Sequence, residues 1–133
     1  CQNGCSDGRC LCNNCRLAGA SWNTSIARVG NTVSLAVTGS DCEGLGVSFE
    51  VREVDALTAD DPVSFNPRNA VFANGVANSQ WVVEYQLDEG FSRPEYVFIA
   101  RLISLDVKAE IRSGLLEVVW FLENLIIIKE QKN

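Results

Sequence analysis

The 133 residues suffice for one domain with its own core, and 17 acidic against 11 basic residues give a formal charge of -6, which opposes binding to nucleic acid or anionic membrane through a basic surface. Histidine is absent, so no His-based triad, imidazole base or His metal ligand can be built from this chain. Methionine is absent as well, position 1 included, so the chain reads as a processed or excised product whose targeting segment has gone.

Residues 1–15, CQNGCSDGRCLCNNC, hold Cys1, Cys5, Cys10, Cys12 and Cys15 with no apolar periodicity. A segment of that kind cannot fold on a core of its own and needs cross-links. Cys10-x-Cys12 and Cys12-x-x-Cys15 resemble metallothionein and zinc-knuckle spacings, and Cys5-x4-Cys10-x-Cys12 a shortened EGF-like knot. Disulfides are the preferred reading, since an acidic chain without His suits an oxidising, extracytoplasmic compartment better than intracellular zinc. Lipidation of Cys1 is the lesser alternative. The sixth cysteine, Cys42, is expected to pair into this cluster; the connectivity does not follow from the sequence.

Strand signals start at Ala18. ASWNTSIARV gives a first strand near 20–28, and Val33, Leu35 and Val37 share one face of a second over 32–38. Val47, Phe49 and Val51 alternate with Ser48, Glu50 and Arg52 in a third over 47–54. Gly30-Asn31 and Gly39 to Gly44 are turns, and 55–67 is a polar connection broken by Pro62 and Pro67. A short strand over 70–73 meets Asn74-Gly75, the strongest local hairpin signal.

The stretch from Ser79 to Ile103 stands at the centre. Trp81, Val83, Tyr85 and Leu87 share one face of its first half, and Tyr96, Phe98, Ala100 and Leu102 one face of its second. With Asp88, Glu89, Gly90 and Pro94 between them, the halves read as a β-hairpin. Leu105–Arg112 follows, and a last strand over 114–122. The C-terminal run LLEVVWFLENLIIIKE carries Glu117 and Glu123 and falls short of the roughly 20 apolar residues of a membrane span, so none is expected.

About seven strands without a long helix are the profile of a Greek-key β-sandwich. The expected organisation is a cysteine-rich segment over 1–17, the sandwich over 18–122 and a strand or tail over 123–133. ASWNTSIARVGNTVSLAVTGSDCEGLGVSFEV, DDPV, WVVEYQ, PEYVFIARL and SGLLEV together resemble the immunoglobulin-like domains of large archaeal and bacterial surface proteins. The resemblance covers about residues 18 to 119. It implies an all-β immunoglobulin-like fold and a role as spacer or assembly module. It also implies departures: Cys42 ends the second strand instead of sitting inside it, and Phe98 stands where an antibody-type domain has its second cysteine. The inter-sheet disulfide is therefore missing, while Tyr96 fits the tyrosine-corner position.

In that topology Asp55, Asp60 and Asp61 lie at one end with Asp88 and Glu89, a set of oxygen ligands suited to calcium. No Asp-x-Asp-x-Asp-Gly loop accompanies them, and a solvated acidic end is the plainer reading. The opposite end brings Cys42 to the N-terminal cluster. Asn23-Thr24-Ser25 is an N-glycosylation sequon. Leu125, Ile126, Ile127 and Ile128 extend past the last strand; they read first as its continuation or a short helix, and otherwise as an exported strand that completes a neighbour's sheet. Lys108, Lys129 and Lys132 lie off the first strand, which disfavours a Lys–Asn isopeptide bond. Glu84, Glu89 and Glu95 form no glycosidase pair.

The expectation is a non-catalytic extracellular or cell-surface module that self-associates, head to tail, in a filament or array. The alternative is a carbohydrate- or ligand-binding adhesion module stacking sugars on Trp22, Trp81 or Trp120.

Overall fold

The computed structural model describes residues 14–54, 61–84, 94–104 and 108–119, and short pieces at 5, 6, 9 and 10; for those four and residue 61 it describes the backbone alone. β1 (Cys5–Ser6) and β2 (Arg9–Cys10) form a small antiparallel pair with Cys5 opposite Cys10. The sandwich is built from β3 (Arg16–Trp22), β4 (Ile26–Arg28), β5 (Thr32–Ser40), β6 (Gly46–Glu53), β7 (Asp61–Pro62) and β8 (Ala70–Val71). β9 (Val76–Val82), β10 (Glu95–Ile103), β11 (Glu110–Arg112) and β12 (Leu116–Val119) complete it.

Two sheets face each other. The smaller has the order β3-β5-β9; the larger has β4-β12-β10-β6-β7, with β8 also on β6 and β11 also on β10. All pairings are antiparallel except β12 with β4. The chain passes from the smaller sheet to the larger between β5 and β6, returns for β9 and crosses again for β10. This is an immunoglobulin-like Greek-key sandwich with a disulfide beside its N-terminal strand.

The expected first strand is two strands. β3 already starts at Arg16 and pairs with β5, whereas β4 joins the other sheet beside β12. Asn23 makes the break: its N–H donates to the Ser34 carbonyl (3.0 Å) and its Oδ1 accepts from Ser34 N–H (2.9 Å), so a side chain stands in for the ladder where the backbone leaves it.

The stretch from Ser79 to Ile103 is not a hairpin. β9 pairs with β5, whereas β10 pairs with β6, β11 and β12. Among the described residues the alternation holds, since Trp81, Val83, Tyr96, Phe98, Ala100 and Leu102 are all buried; Tyr85 and Leu87 lie outside them. Period two reports which face meets the core, and strands facing one another across a core give the same signal as strands side by side. Their inward rings meet between the sheets, Trp81 on Tyr96 at 5.1 Å between centroids.

The core fills with Leu35, Val37, Val47, Val51, Leu116 and Val118 around an aromatic cluster. Phe98 receives Trp22 edge-on at 5.0 Å and Phe49 at 5.8 Å, taking the cross-core role that a disulfide has in antibody-type domains. Buried rings of this size contribute about 1.5–3 kcal/mol each. Tyr96, fully buried, donates its hydroxyl to the Glu84 carbonyl at 2.9 Å, the tyrosine corner.

Asn74 and Gly75 both have positive φ, 55° and 82°, and Ala73 and Val76 exchange backbone hydrogen bonds of 2.9 and 3.2 Å around them. Those signs define a type I′ turn, the geometry that Asn-Gly favours. Its arms diverge at once, because β8 belongs to β6 and β9 to β5.

Candidate functional site

The smaller sheet ends on β9. Val83 N–H donates to Asn31 O (2.8 Å) and Gly30 N–H to Val83 O (2.9 Å), which fixes the odd-numbered residues of β9 as those bonded to β5. By antiparallel alternation Asn78, Gln80 and Val82 turn their N–H and C=O groups to the other side. No described residue bonds to that edge through its backbone.

Below the edge runs the segment 63–69, expected only as part of a polar connection and in fact firmly held. Glu84 accepts from the N–H groups of Ser64 and Phe65, each at 3.0 Å. Trp81 Nε1 donates to Phe65 O at 3.1 Å, and Ser79 Oγ to Arg68 O at 2.6 Å. From the other sheet, Val51 N–H donates to Asn66 Oδ1 at 2.8 Å. Val63 and Pro67 are buried while Phe65 between them is 79 % exposed. The segment thus presents an aromatic ring to solvent on a fixed backbone. Between Arg68, Asn69 and the outer face of β5 and β9 lies an open groove of about 690 Å³, reaching Thr32, Ser34, Asn78 and Gln80. A smaller hollow of about 300 Å³ continues it beside Phe65 and Val82, the latter 58 % exposed.

The larger sheet carries charge on its outer face. Arg101 Nη1 reaches Glu50 Oε1 at 2.7 Å and Arg101 Nε reaches Glu110 at 3.0 Å, while Arg52 Nη2 meets the other Glu50 oxygen at 2.8 Å. The hydrogen bond from Arg101, with that from Arg52, holds the Glu50 carboxyl below the usual carboxylate range against the opposing effect of partial burial.

Of the residues singled out in the sequence, Cys15 and Cys42 form a disulfide with Cα atoms 4.5 Å apart. Gly39 packs so close to it that an added Cβ would lie 2.8 Å from Cys42 Sγ and 2.9 Å from Arg16 O. Cys1 and Cys12 lie outside the described residues, as do Asp55, Asp60, Asp88, Glu89, Trp120 and Leu125 to Ile128. Asp61 pairs with Glu53 in the β7–β6 ladder. Among the described residues no group of three or more Cys, Asp or Glu side chains is placed to hold a metal ion, and no helix is long and apolar enough to cross a membrane. Asn23 is exposed, with its Oδ1 engaged as above. Trp81 is 3 % exposed, and Trp22 packs on Phe98 and Trp81 with its Nε1 donating to Gly114 O at 3.0 Å. Trp81 is thus a core residue, and Trp22 is half-buried against the core.

The open edge and Phe65 had no counterpart among the expectations from sequence. Alternation reports burial, not a strand's place in its sheet, and a lone Phe among breakers carries no sign of exposure.

No family model and no curated protein matches the chain. Among solved structures 195 chains match, so the fold is a recurrent one. One is the Pseudomonas fluorescens alkylpurine DNA glycosylase AlkC bound to DNA containing an abasic site analog, with a TM-score of 0.50 and 9 % identity over 80 % of this chain. The chain spans about 30 % of that protein's length. At such identity the likeness is one of fold alone.

Proposed function

We propose that the chain is a non-catalytic extracellular structural module that joins neighbouring copies or domains in series, as a unit of a filament or surface array. The observation that supports this reading is the placement of entry and exit. Cys15 is tied to Cys42 just beyond the last residue of β5. At the other end Val119 O accepts from Val29 N–H at 3.2 Å, just before the first residue of β5. The nine residues of β5 separate the two by about 30 Å. A rigid body entered at one pole and left at the other transmits position along a line, which is what a serial module requires. The disulfide is in keeping with an oxidising compartment, and the acidic balance argues against a nucleic-acid partner.

Electron microscopy of the native material tests the reading, with fibres or ordered arrays as the expected result. Discrete single copies that bind immobilised glycans would instead support the adhesion-module alternative, whose remaining aromatic candidates from the sequence are Trp22 and Trp120.

A further inference from the structure

We infer that the free edge of β9 is the acceptor for a β-strand supplied by a second copy of the chain, formed by residues 122–128. The inference rests on the serial-module reading and names the surface through which copies join.

Among the described strands, β9 is the one long edge whose outward backbone groups beyond Val76 meet no backbone partner. β3 bounds the same sheet on its other side, but its register shifts between Leu17 and Gly19, a bulge that breaks the row of edge groups. β4 and β11 have three residues each and β7 and β8 two, too short to template a partner. β9 has seven residues in unbroken register with β5, and its outward positions Asn78, Gln80 and Val82 carry no charge and no proline. Edges normally bear such guards; their absence is what strand addition needs.

The occupant follows from direction and composition. β12 runs parallel to β4 and delivers the chain at Val119 to the pole where β9 ends. The fourteen residues after Val119 include Leu125 to Ile128, four aliphatic side chains in a row, with Glu123 before them and Lys129 and Glu130 after. Those side chains match the exposed apolar groups beside the acceptor edge, Val82 and Phe65. In a copy stacked below, the descending segment meets the Val76 end of β9 first and runs parallel to it. The step from Val119 to Leu122 spans at most about 10 Å, so the donated strand starts where the exit pole of one copy abuts the entry pole of the next. Pairing with the chain's own β9 would require an immediate reversal and an antiparallel register.

The test uses the full chain, a chain ending at Leu122, and two edge variants. Gln80→Pro removes an N–H that faces the open side, and Val82→Lys puts a charge on the edge without touching the backbone. Sedimentation velocity reads assembly, and hydrogen exchange reads the amides of Asn78, Gln80 and Val82. The expected result is concentration-dependent assembly of the full chain, edge amides slowed at least roughly tenfold in the assembled state, and assembly weakened at least roughly tenfold by either variant and by the truncation. Thermal midpoints measured on dissociated variants check that each is folded. Assembly that survives Val82→Lys and the truncation, with fast edge amides, overturns the inference and leaves the serial-module reading standing. Slow edge amides in a full-length chain that is monomeric at every dilution overturn the second copy as donor and assign the strand to the chain's own edge. A monomer with fast edge amides at every concentration removes this inference and the self-assembling form of the proposed function together.

Discussion

Replacing Cys15 and Cys42 together by serine tests how the N-terminal strand is secured. The bridge closes 27 residues. In the chain-entropy treatment a loop of that size withholds about 12 cal/mol/K from the unfolded chain, about 3.5 kcal/mol at 25 °C. Against the 5–15 kcal/mol of a typical domain this is a large share. Urea titration of the oxidised double variant, with the other cysteines intact, should show a loss of ~3 kcal/mol, and a thermal scan a drop of roughly 10–18 °C. Because the effect lies in the unfolded state, the denaturant slope should also rise as the released loop expands. A loss below ~1 kcal/mol with an unchanged slope would refute the reasoning, since residues 15–42 would then already be confined without the bridge.

Three further outcomes follow from the packing. Gly39→Ala should destabilise by about 1–3 kcal/mol, and the double serine variant should relieve it only in part, since the 2.9 Å approach to Arg16 O is to backbone; equal costs in both backgrounds, measured as a double-mutant cycle, would contradict the crowding at Cys42 Sγ. Tyr96→Phe removes the hydroxyl that bonds Glu84 O inside the core and should cost about 1–2 kcal/mol in chemical denaturation, with hydrogen exchange rising in 63–69. Glu50 has a lowered folded pKa, so its contribution is fully present above the unfolded carboxylate value of about 4.3 and is lost as pH falls through the folded one. Glu50→Gln should therefore flatten the decline in thermal midpoint below about pH 4.3, by under ~1 kcal/mol because the pair is partly exposed; an undiminished decline would remove Glu50 as its source.

The faces of the strands were legible because burial imposes a period that composition cannot hide, as in Trp81 and Val83 or Tyr96, Phe98 and Ala100. The Asn74-Gly75 turn was legible for a local reason, two adjacent residues that tolerate positive φ. Sheet membership was not. Whether β9 neighbours β10 or faces it depends on pairings made far along the chain, and the alternation is identical in both cases. Asn23 likewise reads as a sequon, and nothing in the tripeptide reveals that its side chain marks the place where the first strand changes sheets. The open edge of β9 escaped for the same reason as the hairpin: an edge is a property of neighbours, and Gln80 looks the same with or without one.

The Cys15–Cys42 bond also decides how the module behaves under tension. A pull entering through the N-terminal segment passes directly from Cys15 to Cys42, so β3, β4 and β5 lie on a slack branch. If the sandwich ruptures, the 26 residues between the cysteines cannot unravel, and the released length is shorter by about 90 Å. At the exit, Val119 is drawn along the line of its own strand, loading the β12 ladders on β4 and β10 in shear. The domain would thus yield in a shortened step and keep residues 15–42, about a fifth of the chain, as a tethered loop.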